Sequence, residues 1–157
     1  MEATAVVVSV LLIAAVLSLA YLAFRRVRLM RGGGVDVCLR RPAAASAWTA
    51  RLRSRDAAAG WHFGVGRYRG DELAWYRLTS FRPGPTAVVD RTELEILDRR
   101  TPGGAEAYAV PAGASVLRCR VRAGELELAM AAGVLTGFLA WLEAAPPGRS
   151  TGYRQAS

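Results

Sequence analysis

The longest hydrophobic stretch of the chain lies close to its N-terminus. Residues 5–24 read AVVVSVLLIAAVLSLAYLAF and contain no charged side chain. As a helix, these twenty residues span about 30 Å, which is the hydrocarbon thickness of a bilayer. Tyr21 stands near the end of the run, where an aromatic side chain suits the interface between lipid and water. The pattern predicts one transmembrane helix.

From residue 60 onward, apolar positions alternate over short segments that are separated by turn residues. Residues 61–68 and 72–79 flank a Gly-Asp pair, which predicts a β-hairpin with a two-residue turn. That turn pairs Phe63 with Leu78, Val65 with Tyr76 and Gly66 with Trp75. Gly64 and Gly66 are expected to leave room for the ring of Trp75 across the pair.

A second hairpin is predicted over residues 115–130, with Ala123 and Gly124 as its turn. On its apolar face this register pairs Val121 with Leu126, Cys119 with Leu128 and Leu117 with Met130. On its polar face it pairs Arg122 with Glu125 and Arg120 with Glu127. Opposite charges across a ladder contribute about 0.2 to 1 kcal/mol each, so the hairpin is expected to be charge-matched.

The remaining pattern predicts short strands and one terminal helix. The strands are expected at residues 35–39, 87–89, 93–99 and 106–110, and in the third of these Leu94 and Ile96 are expected to face inward. Residues 134–144 form an amphipathic helix with apolar residues at positions i, i+3, i+4 and i+7, namely Leu135, Phe138, Leu139 and Leu142. The chain is therefore predicted to carry about seven strands and a C-terminal capping helix.

Composition shifts divide the chain into four parts. Residues 1–24 are the anchor, 25–59 a basic juxtamembrane linker, 60–145 the folded domain, and 146–157 a polar, disordered tail. Residues 32–34 are three glycines, which predict a flexible joint within the linker.

The net charge of +8 is concentrated in the linker. Residues 25–55 hold nine Arg against one acidic residue, whereas the rest of the chain after them holds twelve Arg and eleven acidic residues. Basic residues directly after a span resist translocation, so the N-terminus is expected outside the plasma membrane and the domain in the cytoplasm. A cleaved signal peptide is the alternative, but residues 1–4 lack a basic side chain and the apolar run is long for one.

The basic flank is also a candidate surface for anionic lipid. Six arginines are nominated for it: Arg25, Arg26, Arg28, Arg31, Arg40 and Arg41. Near an anionic leaflet each contributes about 1 kcal/mol of attraction. The alternative is that the first four only fix the orientation of the anchor.

No pattern in the sequence indicates an active site, a metal site or a cofactor. His62 is the single histidine, and Cys38 and Cys119 lack metal-ligand spacing. The acidic side chains of Glu93, Glu95 and Asp98 are more typical of a solvated strand face than of a cation site. Another strand carries Arg118, Arg120 and Arg122, two of which face Glu in the predicted register. The four tryptophans lack the basic interleaving of a nucleic-acid surface, so nucleic acid is not an expected partner.

Three segments resemble the actinobacterial domain of unknown function 2550 family: GWHFGVGRYRGDELAWYRLTSF, EILDRR and GVLTGFLAWLE. The resemblance covers the anchor and most of residues 60–144, and residues 38–59 look like an insertion. It implies a small single-pass membrane protein without an assigned activity, commonly encoded beside the genes of the F-type ATP synthase. The strand and helix count looks like a pleckstrin-homology-like split barrel, a fold that licenses no particular ligand.

These observations favour a non-enzymatic interaction module, tethered to the membrane, that binds a membrane or membrane-proximal protein near the inner leaflet. Two alternatives stay open. One is recognition of anionic lipid headgroups by the basic flank, and the other is an accessory role at the F-type ATP synthase, which only the family resemblance implies.

Overall fold

The computed structural model describes residues 2–41 and 60–144. It has a long N-terminal helix, seven strands, one short 3-10 helix and a C-terminal helix. In chain order these are α1 (Glu2–Arg31), β1 (Val35–Arg40), β2 (His62–Arg69), β3 (Glu72–Arg77), β4 (Ala87–Asp90), β5 (Glu95–Arg100), the 3-10 helix (Gly104–Tyr108), β6 (Ala114–Val121), β7 (Gly124–Ala131) and α2 (Ala132–Glu143). The expected linker residues 42–59 and tail residues 146–157 lie outside the described part.

The seven strands form one antiparallel sheet in the order β4-β3-β2-β1-β7-β6-β5. The sheet curls into a half-barrel, as the right-handed twist between neighbouring strands favours. Its inner face is apolar and is covered by α2, whose Phe138 is completely buried against strand residues such as Leu73 and Leu128. The predicted fold class, an N-terminal apolar helix followed by seven strands and a C-terminal helix, is confirmed.

Strand β1 lies in the middle of the sheet, so the folded domain begins before residue 60. It pairs with β2 on one side, through Val35 and Gly66, and with β7 on the other, through Leu39 and Leu128. Sequence alone suggested a domain start at residue 60 because about twenty polar and Ala-rich residues separate β1 from β2. The structure shows that those residues interrupt the domain instead of preceding it.

The β2-β3 hairpin has the predicted register, with Val65 opposite Tyr76 and Gly66 opposite Trp75. A Cβ on Gly64 would lie 2.3 Å from Cε2 of Trp75, so this glycine does make room for the indole. A Cβ on Gly66 would instead meet Leu73, at 3.0 Å. The indole N–H of Trp75 donates to the Val37 carbonyl at 2.9 Å, which joins β3 to β1 beneath β2.

The β6-β7 hairpin differs from the prediction by a shift of two residues. Val121 lies opposite Gly124, so the turn consists of Arg122 and Ala123. Gly124 has φ of +115° and takes the left-handed position directly after the turn. Because Gly124 takes this position, Ala123 keeps a negative φ, and its Cβ would make a positive φ costly. The apolar face stays the same because the shift is even, but every cross-strand partner changes.

Two smaller predictions also need correction. Residues 106–110 were expected as a strand, but the chain there forms the 3-10 helix Gly104–Tyr108. Ile96 was expected to face the interior; it pairs opposite the buried Cys119, yet remains 37% exposed. The reason is that β5 is an edge strand, and none of the other described strands covers its outer side.

Candidate functional site

Helix α1 continues through the basic flank without a break. Its apolar part is long and hydrophobic enough to cross a membrane, and its most apolar stretch has no buried residue. The helix then extends through Arg25, Arg26, Arg28 and Arg31 before it ends. Thirty residues at 1.5 Å each make a rod of about 45 Å, which is longer than the predicted span.

The three glycines after α1 form a tight turn and not the flexible joint that was expected. Gly33 has φ of +79°, a value that side chains disfavour. A Cβ on Gly32 would lie 2.5 Å from Arg67, and one on Gly34 would lie 2.5 Å from Val65 and 2.7 Å from the Leu29 carbonyl oxygen. Glycine is needed at 33 because of its positive φ and at 34 because α1 packs directly against β2, whereas a Cβ on Gly32 would meet the end of the flexible Arg67 side chain.

The last turns of α1 dock on the sheet face opposite the half-barrel core. Leu29 is buried with Val65, Ala74 and Tyr76, which alternate with the core residues of β2 and β3. The last turns of α1 thereby cover part of β2 and β3. Hydrophobic contacts of this kind stabilise by about 25 cal/mol per Å² of apolar surface removed from water.

Arg25 provides the strongest polar contact of this docking. Its guanidinium donates hydrogen bonds to the carbonyls of Arg77 at 3.0 Å, Ser80 at 2.7 Å and Arg82 at 2.7 Å. It also lies 6.0 Å from the ring centroid of Tyr76, and only 9% of the residue is exposed. The five fixed N–H donors of a guanidinium suit it to bind several carbonyls at once, here at the end of β3 and in the loop that follows.

One turn earlier, Tyr21 contacts the loop between β3 and β4, residues 78–86. Its ring stacks on Phe81 with centroids 6.0 Å apart and planes 17° apart. Its hydroxyl donates to the Phe81 carbonyl at 3.4 Å. We call Tyr21, Arg25 and Leu29, with the loop and the strands that they contact, the junction.

The structure places the six arginines predicted to face lipid in different surroundings. Arg25 is used inside the junction, and Arg40 belongs to a buried ionic cluster described below. Arg26 pairs with Asp36 at 3.4 Å, where both side chains are about half exposed. The other three are exposed and form no ion pair within residues 2–41 and 60–144: Arg28, Arg31 and Arg41.

A buried ionic cluster lies on the sheet face opposite the core, beside β1 and β7. Arg40 donates to Glu127 at 2.6 Å and lies 3.2 Å from Glu106. Arg100 donates to Glu106 at 2.8 Å and to Glu127 at 3.3 Å. The indole N–H of Trp61 donates to Glu106 at 3.2 Å, and its ring lies 4.7 Å from the Arg40 guanidinium.

The charges within this cluster balance, since two carboxylates face two guanidinium groups. The hydrogen bond from Arg100 is the main reason that the pKa of Glu106 lies below its usual range, although burial opposes this shift. The cluster also joins the chain on both sides of residues 42–59, because Arg40 precedes them and Trp61 follows them. It therefore keeps the two ends of that segment together.

Sequence reasoning missed this cluster. Glu106 and Glu127 occupy polar positions of the pattern, which normally point to solvent, yet they are only 3% and 8% exposed. Trp61 and the 3-10 helix, which carries Glu106, shield the two carboxylates from water. The carboxylates lie next to a second apolar patch that contains Cys38, Val116 and Ala129. No local signal predicted that cover, because it depends on contacts between residues far apart in sequence.

The arginines of β6 and of the turn after it are neutralised by acids, but with partners other than those predicted. Arg118 pairs with Glu125 at 2.6 Å, Arg120 with Glu95 at 2.7 Å and Arg122 with Glu93 at 3.3 Å. The pairing of β5 with β6 places Glu95 opposite Arg120. The shifted register of the hairpin places Glu127 opposite Arg118, which reaches Glu125 diagonally. The acidic strand face considered for cation binding is thus occupied by guanidinium groups, and no metal-binding group of three side chains occurs among the described residues.

His62 and the two cysteines take no part in the junction or the cluster. Burial, with some help from Arg77, lowers the pKa of His62. Burial raises the pKa of Cys38 to about 12 and that of Cys119 to about 12. Both thiols are therefore protonated and shielded at neutral pH, which suits buried apolar side chains and not nucleophiles.

The end of the half-barrel near the β2-β3 turn is closed by α2. The indole N–H of Trp141 donates to the Gly70 carbonyl at 2.8 Å. Arg91 donates to the Trp141 carbonyl at 3.1 Å and pairs with Asp71 at 2.5 Å. These contacts hold α2 in place over that end of the half-barrel.

Comparison with known proteins gives a family but no activity. The family model described as Protein of unknown function (DUF2550) matches residues 11–148. The uncharacterised protein ML1147 of Mycobacterium leprae is 36% identical over 149 residues, or 92% of this chain and 91% of that protein. No solved structure matches significantly.

Two uncharacterised proteins of Mycobacterium tuberculosis, MT1352 in strain CDC 1551 and Rv1312 in strain H37Rv, are each 40% identical over 95 residues. Those alignments cover 58% of this chain and 65% of the two proteins, which is less than two thirds of their length. The family match, by contrast, extends over most of the present sequence. The chain therefore belongs to the DUF2550 family of proteins of unknown function.

Proposed function

We propose that this protein is a non-enzymatic interaction module of the plasma membrane. In this proposal α1 crosses the bilayer with its N-terminus outside, and the half-barrel lies at the cytoplasmic face, where it binds a protein partner. The exposed apolar part of α1 supports a membrane-spanning role for this helix, because a core helix of that length would be covered by its own domain. The basic residues after the span support the orientation.

The observation that carries the proposal is the junction. Arg25 and Leu29 fix the half-barrel against the end of the span, so the domain has one orientation relative to the helix. A mobile tether would let a domain search for partners in any direction, whereas this arrangement presents the same surface at the same height above the leaflet. Such geometry suits a partner that is itself held at the membrane.

The surface that best fits a protein partner is the outer edge of β5. Within residues 2–41 and 60–144 this strand pairs only with β6, so its backbone groups that point away from β6 have no strand partner there. Ile96 adds a partly exposed aliphatic side chain there. An exposed strand edge is a template for a strand of another protein, with side chains supplying specificity.

Photo-crosslinking in intact cells tests this proposal. A photoreactive residue at position 98, on the β5 edge, is expected to capture one reproducible membrane-associated protein. Ile96→Lys is expected to abolish that capture, whereas Val88→Lys on the opposite edge strand is the matched control and should leave it intact. Capture that survives Ile96→Lys, or no capture in any growth condition, would refute binding at this edge. Capture of a subunit of the ATP synthase would support the accessory role at that enzyme.

Recognition of anionic headgroups is a second candidate, which the three exposed arginines at positions 28, 31 and 41 support. The full chain in bilayer nanodiscs is expected to retain anionic over zwitterionic lipid, and less so as salt rises. Combined Arg28→Gln and Arg31→Gln substitutions should weaken that preference. Arg120→Gln, which removes an arginine already paired with Glu95, is the control. Equal lipid retention by both variants would exclude this role for the flank.

A further inference from the structure

The β3-β4 loop lies beside the last turns of the apolar run, at a level that a membrane interface would occupy. Phe81 stacks on Tyr21, and Tyr21 precedes the end of the charge-free run at Phe24 by three residues. About 4.5 Å of helix separates these two positions at 1.5 Å per residue. If residues 5–24 span the bilayer, the loop tip is at the same depth as their final turn.

Two large apolar side chains, Phe81 and Phe63, are exposed around this position, beside the exposed Arg82. Phe81 is 57% exposed, although a soluble loop gains little from a phenyl ring in water. Phe63 is also exposed; its carbonyl accepts from the Leu78 amide at 2.9 Å, which places it at the same end of the β2-β3 hairpin. Aromatic side chains are enriched where hydrocarbon meets headgroups.

The backbone of the loop is also suited to an environment with little water. Residues 78–86 include Pro83 and Pro85, which have no N–H to leave unsatisfied, and no acidic residue. The carbonyls of Ser80 and Arg82 accept hydrogen bonds from Arg25. Backbone polar groups must find partners inside the protein when lipid replaces water, and here α1 itself supplies the partner.

We infer that the β3-β4 loop enters the interface of the cytoplasmic leaflet, with Phe81 at its tip and the bilayer surface as its ligand. The inference rests on the proposed membrane span of α1. It gives the domain a second attachment to the leaflet, next to the helix. Tyr21 and Arg25 then act as positioning residues, since they hold the loop at the depth of the interface.

Depth measurements by spin labelling test the inference on the full chain in bilayer nanodiscs. Three single labels are compared, at Gly84→Cys in the loop, at Leu12→Cys in the span and at Glu72→Cys at the far end of β3. Gly84 is suitable because a Cβ there meets no atom within 4 Å, and the two native cysteines are buried. The readout is the ratio of collisions with oxygen, which enters lipid, to collisions with a water-soluble nickel chelate.

The expected order of this ratio is Leu12 highest, Gly84 intermediate and Glu72 lowest. Phe81→Asp in the Gly84→Cys background should lower the loop value to that of Glu72, while Tyr108→Asp, at another exposed aromatic, should not. A loop value equal to that of Glu72 without any further substitution would overturn the inference and leave the span intact. A Leu12 label as accessible to the chelate as Glu72 would refute the span, and the inference with it.

Discussion

Gly64 shows at the scale of one residue how tightly the hairpin and the core are fitted together. The indole of Trp75 occupies the space in which a Cβ of residue 64 would lie, and its N–H reaches the backbone of β1. This contact was predictable from sequence, because the turn residues set the register and the register places a glycine beside the tryptophan. Alternation and turn chemistry are local properties, and such predictions succeed where contacts are local.

Gly64→Ala is expected to destabilise the protein by about 2 to 3 kcal/mol, because the added methyl must displace a buried indole. Gly103→Ala is the matched control, since nothing lies within 4 Å of its Cβ and its φ is an ordinary −127°. Denaturant unfolding of the detergent-solubilised chain, followed by tryptophan fluorescence, measures both. Equal stabilities of the two variants would show that the indole moves without cost.

Arg25 illustrates the opposite case, because its role could not be read from sequence. An arginine directly after an apolar span is normally a topology signal, and Arg28 has the same surroundings in the sequence. Only the fold of a loop more than fifty residues away distinguishes them. The distinction is tertiary, and no periodicity or spacing along α1 encodes it.

At the scale of elements, Arg25→Gln is expected to cost about 3 kcal/mol of unfolding free energy, because at least two carbonyls lose a charged donor. Arg28→Gln should change stability by less than about 0.5 kcal/mol, as expected for an exposed residue. Unfolding curves of the two variants provide the comparison. Tryptic cleavage after Arg77 should also accelerate in Arg25→Gln alone. Similar behaviour of both variants would argue that the loop keeps its place without α1.

The ionic cluster connects four elements, and its stability should depend on pH. The pKa of Glu106 is lowered in the folded state, so the carboxylate stabilises the fold above its unfolded pKa of about 4.5. That contribution is lost as pH falls through the lower, folded pKa. Glu106→Gln is therefore expected to reduce stability at pH 7 by about 2 kcal/mol, a value discounted because Arg100 is partly exposed.

The same substitution should flatten the dependence of stability on pH below about pH 5. Glu95→Gln is the control, because its pair with Arg120 is more than half exposed on both sides and should contribute little. Thermal unfolding across this pH range measures both slopes. A steep slope that persists in Glu106→Gln would assign the acid sensitivity to another group.

At the scale of the whole molecule, sequence predicted the classes of elements better than their connections. The apolar run, the two hairpins and the terminal helix were all visible as local patterns. The position of β1 was not, since its partners β2 and β7 lie beyond a long interruption and at the other end of the domain. The junction was missed for a related reason. Three consecutive glycines predict a flexible joint, and only the tertiary structure shows that β2 packs closely against them.

The proposed topology gives a further prediction for the intact protein. A green fluorescent protein fused after Ser157 should be fluorescent, and alkaline phosphatase at the same position should be inactive, because the C-terminal side stays in the cytoplasm. Replacing Arg26, Arg28 and Arg31 by Gln together should weaken this orientation, while Arg25 is left in place to preserve the fold. The opposite reporter pattern in the unsubstituted protein would invert the proposed orientation.

The glycine turn and Arg25 couple the half-barrel mechanically to α1, which has a consequence if α1 crosses the bilayer. A helix that enters a fold without a hinge transmits its tilt and its rotation to that fold. Helices adjust their tilt when bilayer thickness changes, so the half-barrel would lean by the same angle and its outer edge would sweep through the largest arc. The half-barrel would then tilt about the membrane surface, and a partner bound at β5 would change position when the bilayer thickness changes.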